Sequence, residues 1–125
     1  MPQYFVISNS NELVRVTPDR IVYISSDGNY STLVLTENKE RVFSFNLSAM
    51  QNLLETQLKE ESQQFIRVGK SLIINYNYIH LINISKQQLI LSDRQFQQSF
   101  ELTASREALK QLKAVIDSGI NTVSQ

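Results

Sequence analysis

Short apolar segments rich in β-branched and aromatic residues recur along the chain between polar turn residues, a pattern typical of β-strands. The first third holds five such runs, at residues 4–8, 12–16, 20–26, 30–36 and 41–45. Asp27, Gly28 and Asn29 predict a tight hairpin turn, because glycine and asparagine tolerate positive φ. Residues 37–40 are polar and predict the next turn. The first third is therefore predicted to be an antiparallel meander.

The period changes to that of a helix at Leu47. Apolar residues then follow one helical stripe: Leu47, Met50, Leu54 and Leu58, with Leu53 beside them. Ser48 followed by Gln51 resembles a capping box, so a helix is predicted near 48–59. The stripe is expected to pack against a sheet, since three turns are too few for a coiled coil.

Strand character resumes at Phe65. Five further runs occupy residues 65–68, 71–75, 78–84, 88–92 and 96–102. In the third of these, alternation places Tyr78, His80 and Ile82 on one face of a strand.

A second helical stripe closes the chain: Leu102, Leu109, Leu112 and Ile116. It predicts a helix near 104–116, with Thr103 or Ser105 as the N-cap and Gly119 just beyond the end. The predicted fold class is all-β dominated, with antiparallel sheets and one or two short α-helices. A single domain is expected over residues 1–125.

Composition and charge narrow the function classes. The 125 residues carry 12 basic and 12 acidic side chains, so bulk positive charge does not attract nucleic acid. Residues 1–64 nevertheless have a net charge of −3 (five basic, eight acidic), whereas residues 65–125 have +3 (seven basic, four acidic). Cysteine is absent and no membrane-length apolar run occurs. A cytoplasmic protein without membrane contact is expected.

The sequence Gly69-Lys70-Ser71 matches the end of a nucleotide-binding P-loop. That loop also requires an earlier glycine, but the corresponding position is Gln64. The residues after Ser71 are Leu-Ile-Ile-Asn, which favour a strand over the helix that a phosphate site needs. Gly69-Lys70-Ser71 is therefore interpreted as a tight connection between strands that exposes a lysine.

Candidate catalytic groups are few. His80 is the only histidine, and it lies in an apolar strand, where an edge or partly buried role is expected. No nucleophile–base pair or metal-ligand cluster can be assembled from the remaining side chains. The chain is predicted to be neither an enzyme nor a holder of a cofactor or metal.

Several blocks resemble the LytTR DNA-binding domain, the effector domain of many bacterial response regulators. They are Ile21–Ile24 with Asp27–Tyr30, Phe65–Ser71 with Ile74-Asn75 and Tyr78-Ile79, and Ser105-Arg106 before a C-terminal helix. The resemblance covers about residues 12–116. It implies an elongated fold of three antiparallel sheets that binds double-stranded DNA as pairs on repeated half-sites and regulates transcription. Loop residues would enter successive major grooves.

The resemblance also implies three contact loops. The first carries Asn29 and Tyr30, the second Gly69, Lys70 and Ser71, and the third Ser105 and Arg106. Arginine can pair with two acceptors of guanine, and lysine can reach a base or a phosphate. Further possible phosphate contacts, left unassigned, are Lys39, Arg41, Lys86, Arg94, Lys110 and Lys113.

Two features depart from the family pattern. Many members have a histidine before the basic residue of the second loop, where this chain has Gly69, so this loop is expected to be more mobile. No receiver domain lies within the sequence, which leaves a free-standing protein or the effector end of a longer regulator as alternatives.

Two other functions fit the composition. The neutral charge and the apolar strand 4–8 also suit a β-rich protein-interaction module of the same fold. Single-stranded nucleic acid would instead need exposed aromatics over a basic groove. The candidate aromatics are Tyr4, Tyr23, Tyr30, Tyr76 and Tyr78, which alternate with core residues.

Overall fold

The computed structural model describes residues 3–95 and 97–119. The chain divides into two compact units, Met1–Asn77 and Tyr78–Gln125. Ten strands and two α-helices lie within the described residues, and the strands are all paired antiparallel. The predicted fold class is therefore confirmed. Neither described helix is long and apolar enough to cross a membrane.

The first unit contains seven strands in two sheets. They are β1 (Phe5–Ser8), β2 (Leu13–Val16), β3 (Ile21–Ser26), β4 (Ser31–Leu35), β5 (Lys39–Phe43), β6 (Phe65–Val68) and β7 (Leu72–Asn75). β1 and β2 form a separate hairpin, and the other five have the order β5-β4-β3-β7-β6. The meander is thus confirmed for β3 to β5 only. The second neighbour of β3 is β7, almost 50 residues later in the chain.

Helix α1 (Leu47–Leu58) packs into the core of this unit. Leu47, Met50, Leu54 and Leu58 are each at most 3% exposed, which confirms the predicted stripe. Its N-cap, however, is Asn46, whose side chain accepts a hydrogen bond from the Ala49 amide at 2.8 Å. The prediction of a Ser48 capping box is wrong, because Leu47 already belongs to the buried stripe and the cap must precede it.

The connection between β4 and β5 is tighter than predicted. A 3₁₀ turn spans Thr36–Asn38, and β5 already begins at Lys39. Glu37 and Asn38 both have positive φ, at 66° and 58°. These two left-handed residues reverse the chain, so the turn predicted at 37–40 is present but ends at Asn38 instead of Glu40.

One polar side chain of α1 fixes the edge of β1. The Gln57 amide nitrogen donates to the Val6 carbonyl at 2.8 Å, and its oxygen accepts from the Val6 amide at 2.8 Å. Both backbone groups of Val6 are therefore satisfied by one side chain. This pair of bonds ties the β1–β2 hairpin to the helix.

The second unit contains three strands and a helix. They are β8 (Ile79–Asn83), β9 (Gln88–Asp93), β10 (Gln98–Thr103) and α2 (Arg106–Ser118), and the strand order is β10-β9-β8. Buried apolar side chains come from β9 and α2: Leu89, Leu91, Ala108, Leu109 and Leu112. The predicted helix is confirmed, with Ser105 as N-cap and Gly119 as C-cap.

Three details of the second unit differ from the predictions. Leu102 lies in β10 and is not part of the helical stripe. The register of β8 shifts between Ile79 and Leu81, so strict alternation over 78–83 is wrong and His80 is exposed. His80 does lie on an edge strand, as expected. The predicted start of the last strand, Phe96, lies outside the described residues.

Candidate nucleic-acid interface

Two of the predicted contact loops lie at one end of the five-stranded sheet. β3 and β7 run antiparallel, with Ser25 opposite Leu72, so the loop that follows β3 and the turn that precedes β7 are neighbours. The Ser26 amide donates to the Ser71 carbonyl at 2.9 Å, directly before the first loop. We call residues 27–30 and 69–71 together the loop pair.

The first loop of the pair, Asp27–Tyr30, has a defined backbone. Gly28 has a φ of 95°, which side chains with a Cβ rarely adopt. The Asp27 amide donates to the Tyr30 carbonyl at 3.1 Å, and the Ser26 hydroxyl donates to the Gly28 carbonyl at 3.2 Å. The loop presents Asn29 and Tyr30, and the Tyr30 side chain is 55% exposed. An amide and a phenol, both able to donate and accept hydrogen bonds, therefore face solvent.

The second loop of the pair, Gly69–Ser71, is held by a neighbouring arginine. Gly69 has a φ of 65°, so glycine suits this turn without strain. Nε of Arg67 donates to the Gly69 carbonyl at 3.3 Å, and Nη2 donates to the Lys70 carbonyl at 3.4 Å. All three residues of the turn are exposed. The backbone at Lys70 is thus anchored, and the lysine side chain extends from it.

The same arginine reaches helix α1. Its Nη1 donates to the Ser48 hydroxyl and to the Gln51 side-chain oxygen, both at 3.1 Å. Ser48 and Gln51, predicted to cap the helix, serve instead as acceptors for Arg67. Sequence reasoning did not single out Arg67, which lies in the middle of the FIRV strand. The only available signal was a charged residue in an otherwise apolar run.

The third predicted loop lies in the second unit, at the start of α2. The Ser105 hydroxyl accepts from the Ala108 amide at 3.1 Å and so caps the helix. Arg106 is the first helical residue and is exposed. Its Nη2 donates to the Ser85 carbonyl at 3.2 Å. A guanidinium has five donors, so this bond orients the side chain and leaves donors for a ligand.

The turn between β8 and β9 supports that arginine. Asn83 Oδ1 accepts from the Ser85 hydroxyl and from the Lys86 amide, both at 3.0 Å. Gln87 has a φ of 53°, and its amide donates to the Ile84 carbonyl at 3.1 Å. The turn therefore fixes the carbonyl that Arg106 contacts. It also places the exposed Lys86 next to that carbonyl in the chain.

Helix α2 carries a line of basic side chains. Arg106, Lys110 and Lys113 are spaced four and three residues apart, so they share one side of the helix, and all three are exposed. Lys113 donates to Asp117 at 2.8 Å, which neutralises that end of the line. The two basic side chains outside this ion pair, Arg106 and Lys110, lie in the first half of the helix, which also carries Glu107.

No metal-binding geometry is found in residues 3–95 and 97–119. No group of three or more histidine, aspartate or glutamate side chains in that part of the chain is placed to hold an ion.

Comparison with known proteins agrees with the geometry. Residues 11–117 match the protein family described as the LytTr DNA-binding domain. This match defines the chain as a DNA-binding domain of the kind that regulates transcription, a class that is not enzymatic. The chain belongs to the LytTR family.

A solved structure shows the same fold. It is the LytTr DNA-binding domain of a Bacillus cereus protein described as a methyl-accepting/DNA response regulator. The TM-score is 0.62 at 16% sequence identity, and the alignment covers 91% of this chain and 96% of that one. No curated protein sequence matches this chain.

Proposed function

We propose that the chain acts as one sequence-specific DNA-binding domain that places loop residues in successive major grooves of duplex DNA. The loop pair supplies Asn29, Tyr30 and Lys70, and the start of α2 supplies Arg106. The proposal rests mainly on one hydrogen bond, from the Ser26 amide to the Ser71 carbonyl, which joins the two loops of the loop pair. Two loops distant in sequence thereby present polar side chains together, as a contact surface requires.

The roles of the basic residues follow from their chemistry. Arg106 reads guanine, because its planar fork matches the paired O6 and N7 acceptors. Lys70 contacts a phosphate or a base acceptor as a point charge. Asn29 and Tyr30 bond bases or backbone, while Gly69, Ser71 and Ser105 shape the turns that present the contacts. Ser105 does so by capping α2 at 3.1 Å.

Two copies are proposed to bind repeated half-sites. The charges of the chain balance at 12 basic and 12 acidic residues. Non-specific attraction is therefore weak, and two linked contacts on one duplex increase affinity and specificity together.

The test is a selection of random duplexes on the purified chain, followed by competition titration of the selected site against a scrambled duplex. We expect a recurring pair of half-sites and a clear preference for the selected duplex. Sedimentation of the complex with one and with two half-sites gives the number of chains bound. Equal affinity for both duplexes would contradict sequence-specific reading and favour a protein-interaction role for this fold.

A further inference from the structure

We propose that Arg67 is a positioning residue that fixes the Lys70 turn against helix α1 for DNA binding. This inference rests on the proposed role of Lys70. It adds to the interface a side chain of the first unit that acts through the turn without touching DNA.

The hydrogen bonds of Arg67 go to two different parts of the first unit. Two donors contact the carbonyls of Gly69 and Lys70 at 3.3 and 3.4 Å, and a third contacts Ser48 and Gln51 at 3.1 Å each. A guanidinium is planar and rigid, so bonds on both sides fix the turn relative to the helix. A lysine at the same position has one compact ammonium and cannot span both sets of acceptors.

The anchored turn opposes the freedom that its glycine introduces. Gly69 adopts a φ of 65° and has a larger range of backbone conformations than other residues. The carbonyls of Gly69 and Lys70 both accept hydrogen bonds from Arg67, and these bonds restrict the range of conformations that the turn can adopt. The bond from the Ser26 amide to the Ser71 carbonyl restricts the other end of the turn. Lys70 is therefore presented from a preorganised backbone, which lowers the entropic cost of binding.

A direct phosphate contact by Arg67 is the competing role, since its side chain is exposed. The two roles differ in what they require. A phosphate contact depends on charge, so Arg67→Lys keeps most of it. Positioning depends on the planar guanidinium, so Arg67→Lys should abolish the positioning as fully as Arg67→Gln does.

The experiment combines DNA titration with a double-mutant cycle. We expect Arg67→Lys to lower affinity for the selected duplex about tenfold, the size of one charge-assisted hydrogen bond. Affinity for a scrambled duplex should fall by a similar factor, because Lys70 acts as a point charge on phosphate and contributes to every duplex. In a Lys70→Ala background, the same substitution should have less than about a twofold effect, because the two residues act as one unit.

The matched control is Arg20→Lys. Arg20 is also an arginine of the first unit, but it precedes β3 at the opposite end of the sheet, where it lies 3.8 Å from Glu37. Its replacement should leave both affinities and the melting temperature nearly unchanged. Ser48→Ala combined with Gln51→Ala removes the helix acceptors without altering charge, and should reproduce part of the Arg67→Lys loss.

A readout without DNA separates this inference from the proposed function. In the free protein, Arg67→Lys should lower the ¹⁵N heteronuclear NOE of the Gly69, Lys70 and Ser71 amides, while the rest of the first unit keeps its values. Unchanged NOE values, or an undiminished effect in the Lys70→Ala background, would overturn the positioning role. If Lys70→Ala itself leaves DNA binding intact, the assigned contact fails, and altered NOE values would still establish the anchoring by Arg67.

Discussion

The Lys70 turn and the start of α2 each present one basic side chain, but the two are supported in opposite ways. At the turn, the supporting bonds go to the backbone, through Arg67 and Ser26, and the lysine stem itself is unrestrained. At the helix start, the contacting guanidinium is itself held, by the Ser85 carbonyl at 3.2 Å. A fixed planar fork suits base reading, whereas a flexible charge on a fixed backbone suits attraction to phosphate.

The largest effect is expected for Arg106→Ala. If the held fork reads a base edge, this change should cost about 1–3 kcal/mol on the selected duplex and affect scrambled DNA much less. Arg106→Lys should fail to restore discrimination, because an ammonium lacks the paired donors. Competition titration measures both, with Arg20→Ala as a control that removes the same charge at a position away from the predicted contacts. Equal losses on both duplexes would assign Arg106 to phosphate contact or structure.

A smaller effect is expected when the caps of the two helices are removed. Ser105→Ala and Asn46→Ala should each lower the free energy of unfolding by about 1 kcal/mol, because each leaves a first-turn amide unpaired. Their effects on DNA should differ. Ser105→Ala removes the cap directly before Arg106 and should reduce discrimination between the selected and scrambled duplexes. Asn46→Ala instead affects the start of α1, which contacts Arg67. Urea denaturation and competition titration together test the pair, and a cap whose loss changes neither quantity would contradict its assigned role.

Lys70→Ala should lower DNA affinity less than Arg106→Ala does, and by a similar factor for the selected and scrambled duplexes. A point charge on phosphate contributes similarly to every duplex, so affinities for the selected and scrambled sites should fall together. The slope of log affinity against log salt should decrease by about 0.9, the value for one phosphate contact. A loss confined to the selected site would show that Lys70 reads a base, and the contrast between the two loops would then disappear.

The smallest effect concerns Tyr23 in β3, the strand that leads to the loop pair. Burial, and secondarily the charge of Glu40, raise the pKa of Tyr23 above its ordinary value of 10.0. The folded state therefore holds this proton more tightly than the unfolded state does. Its contribution to stability is complete below about pH 10 and is lost as the pH rises through the folded-state value.

Denaturation at pH 9 and pH 11 tests this assignment. The wild-type chain should lose more stability between the two pH values than Tyr23→Phe, which has no ionisable group at this position. Tyr4→Phe, at an exposed position, is the matched control and should behave like wild type. Equal losses for wild type and Tyr23→Phe would contradict the role of this proton.

Local periodicity predicted the elements well because it reports directly which face is buried. The spacing of Leu47, Met50, Leu54 and Leu58 indicates one face of a helix, and all four side chains are buried. The N-cap was misplaced because Asn46 and Ser48 are both good capping residues, and only the burial of Leu47 decides between them. The bulge in β8 was missed because alternation assumes an unbroken register.

The contacts that build the candidate site are non-local, which is why sequence reasoning could not supply them. Nothing in the patterns of β3 and β7 indicates that they pair, so the bond from Ser26 to Ser71 was not predictable. The contact of Arg67 with Ser48 spans 19 residues and joins a strand to a helix. The residues of the three loops were found through family resemblance, and their roles in DNA binding stay predictions.

The side-chain amide of Gln57 imitates a missing strand. In an antiparallel ladder, the amide and carbonyl of one residue point to the same side, and at Val6 they meet Gln57 at 2.8 Å each. A foreign peptide approaching this edge of β1 would have to displace both bonds before it could pair. The helix thus blocks strand addition in the middle of a strand with three consecutive apolar residues, the kind of segment through which exposed sheet edges recruit other chains and aggregate.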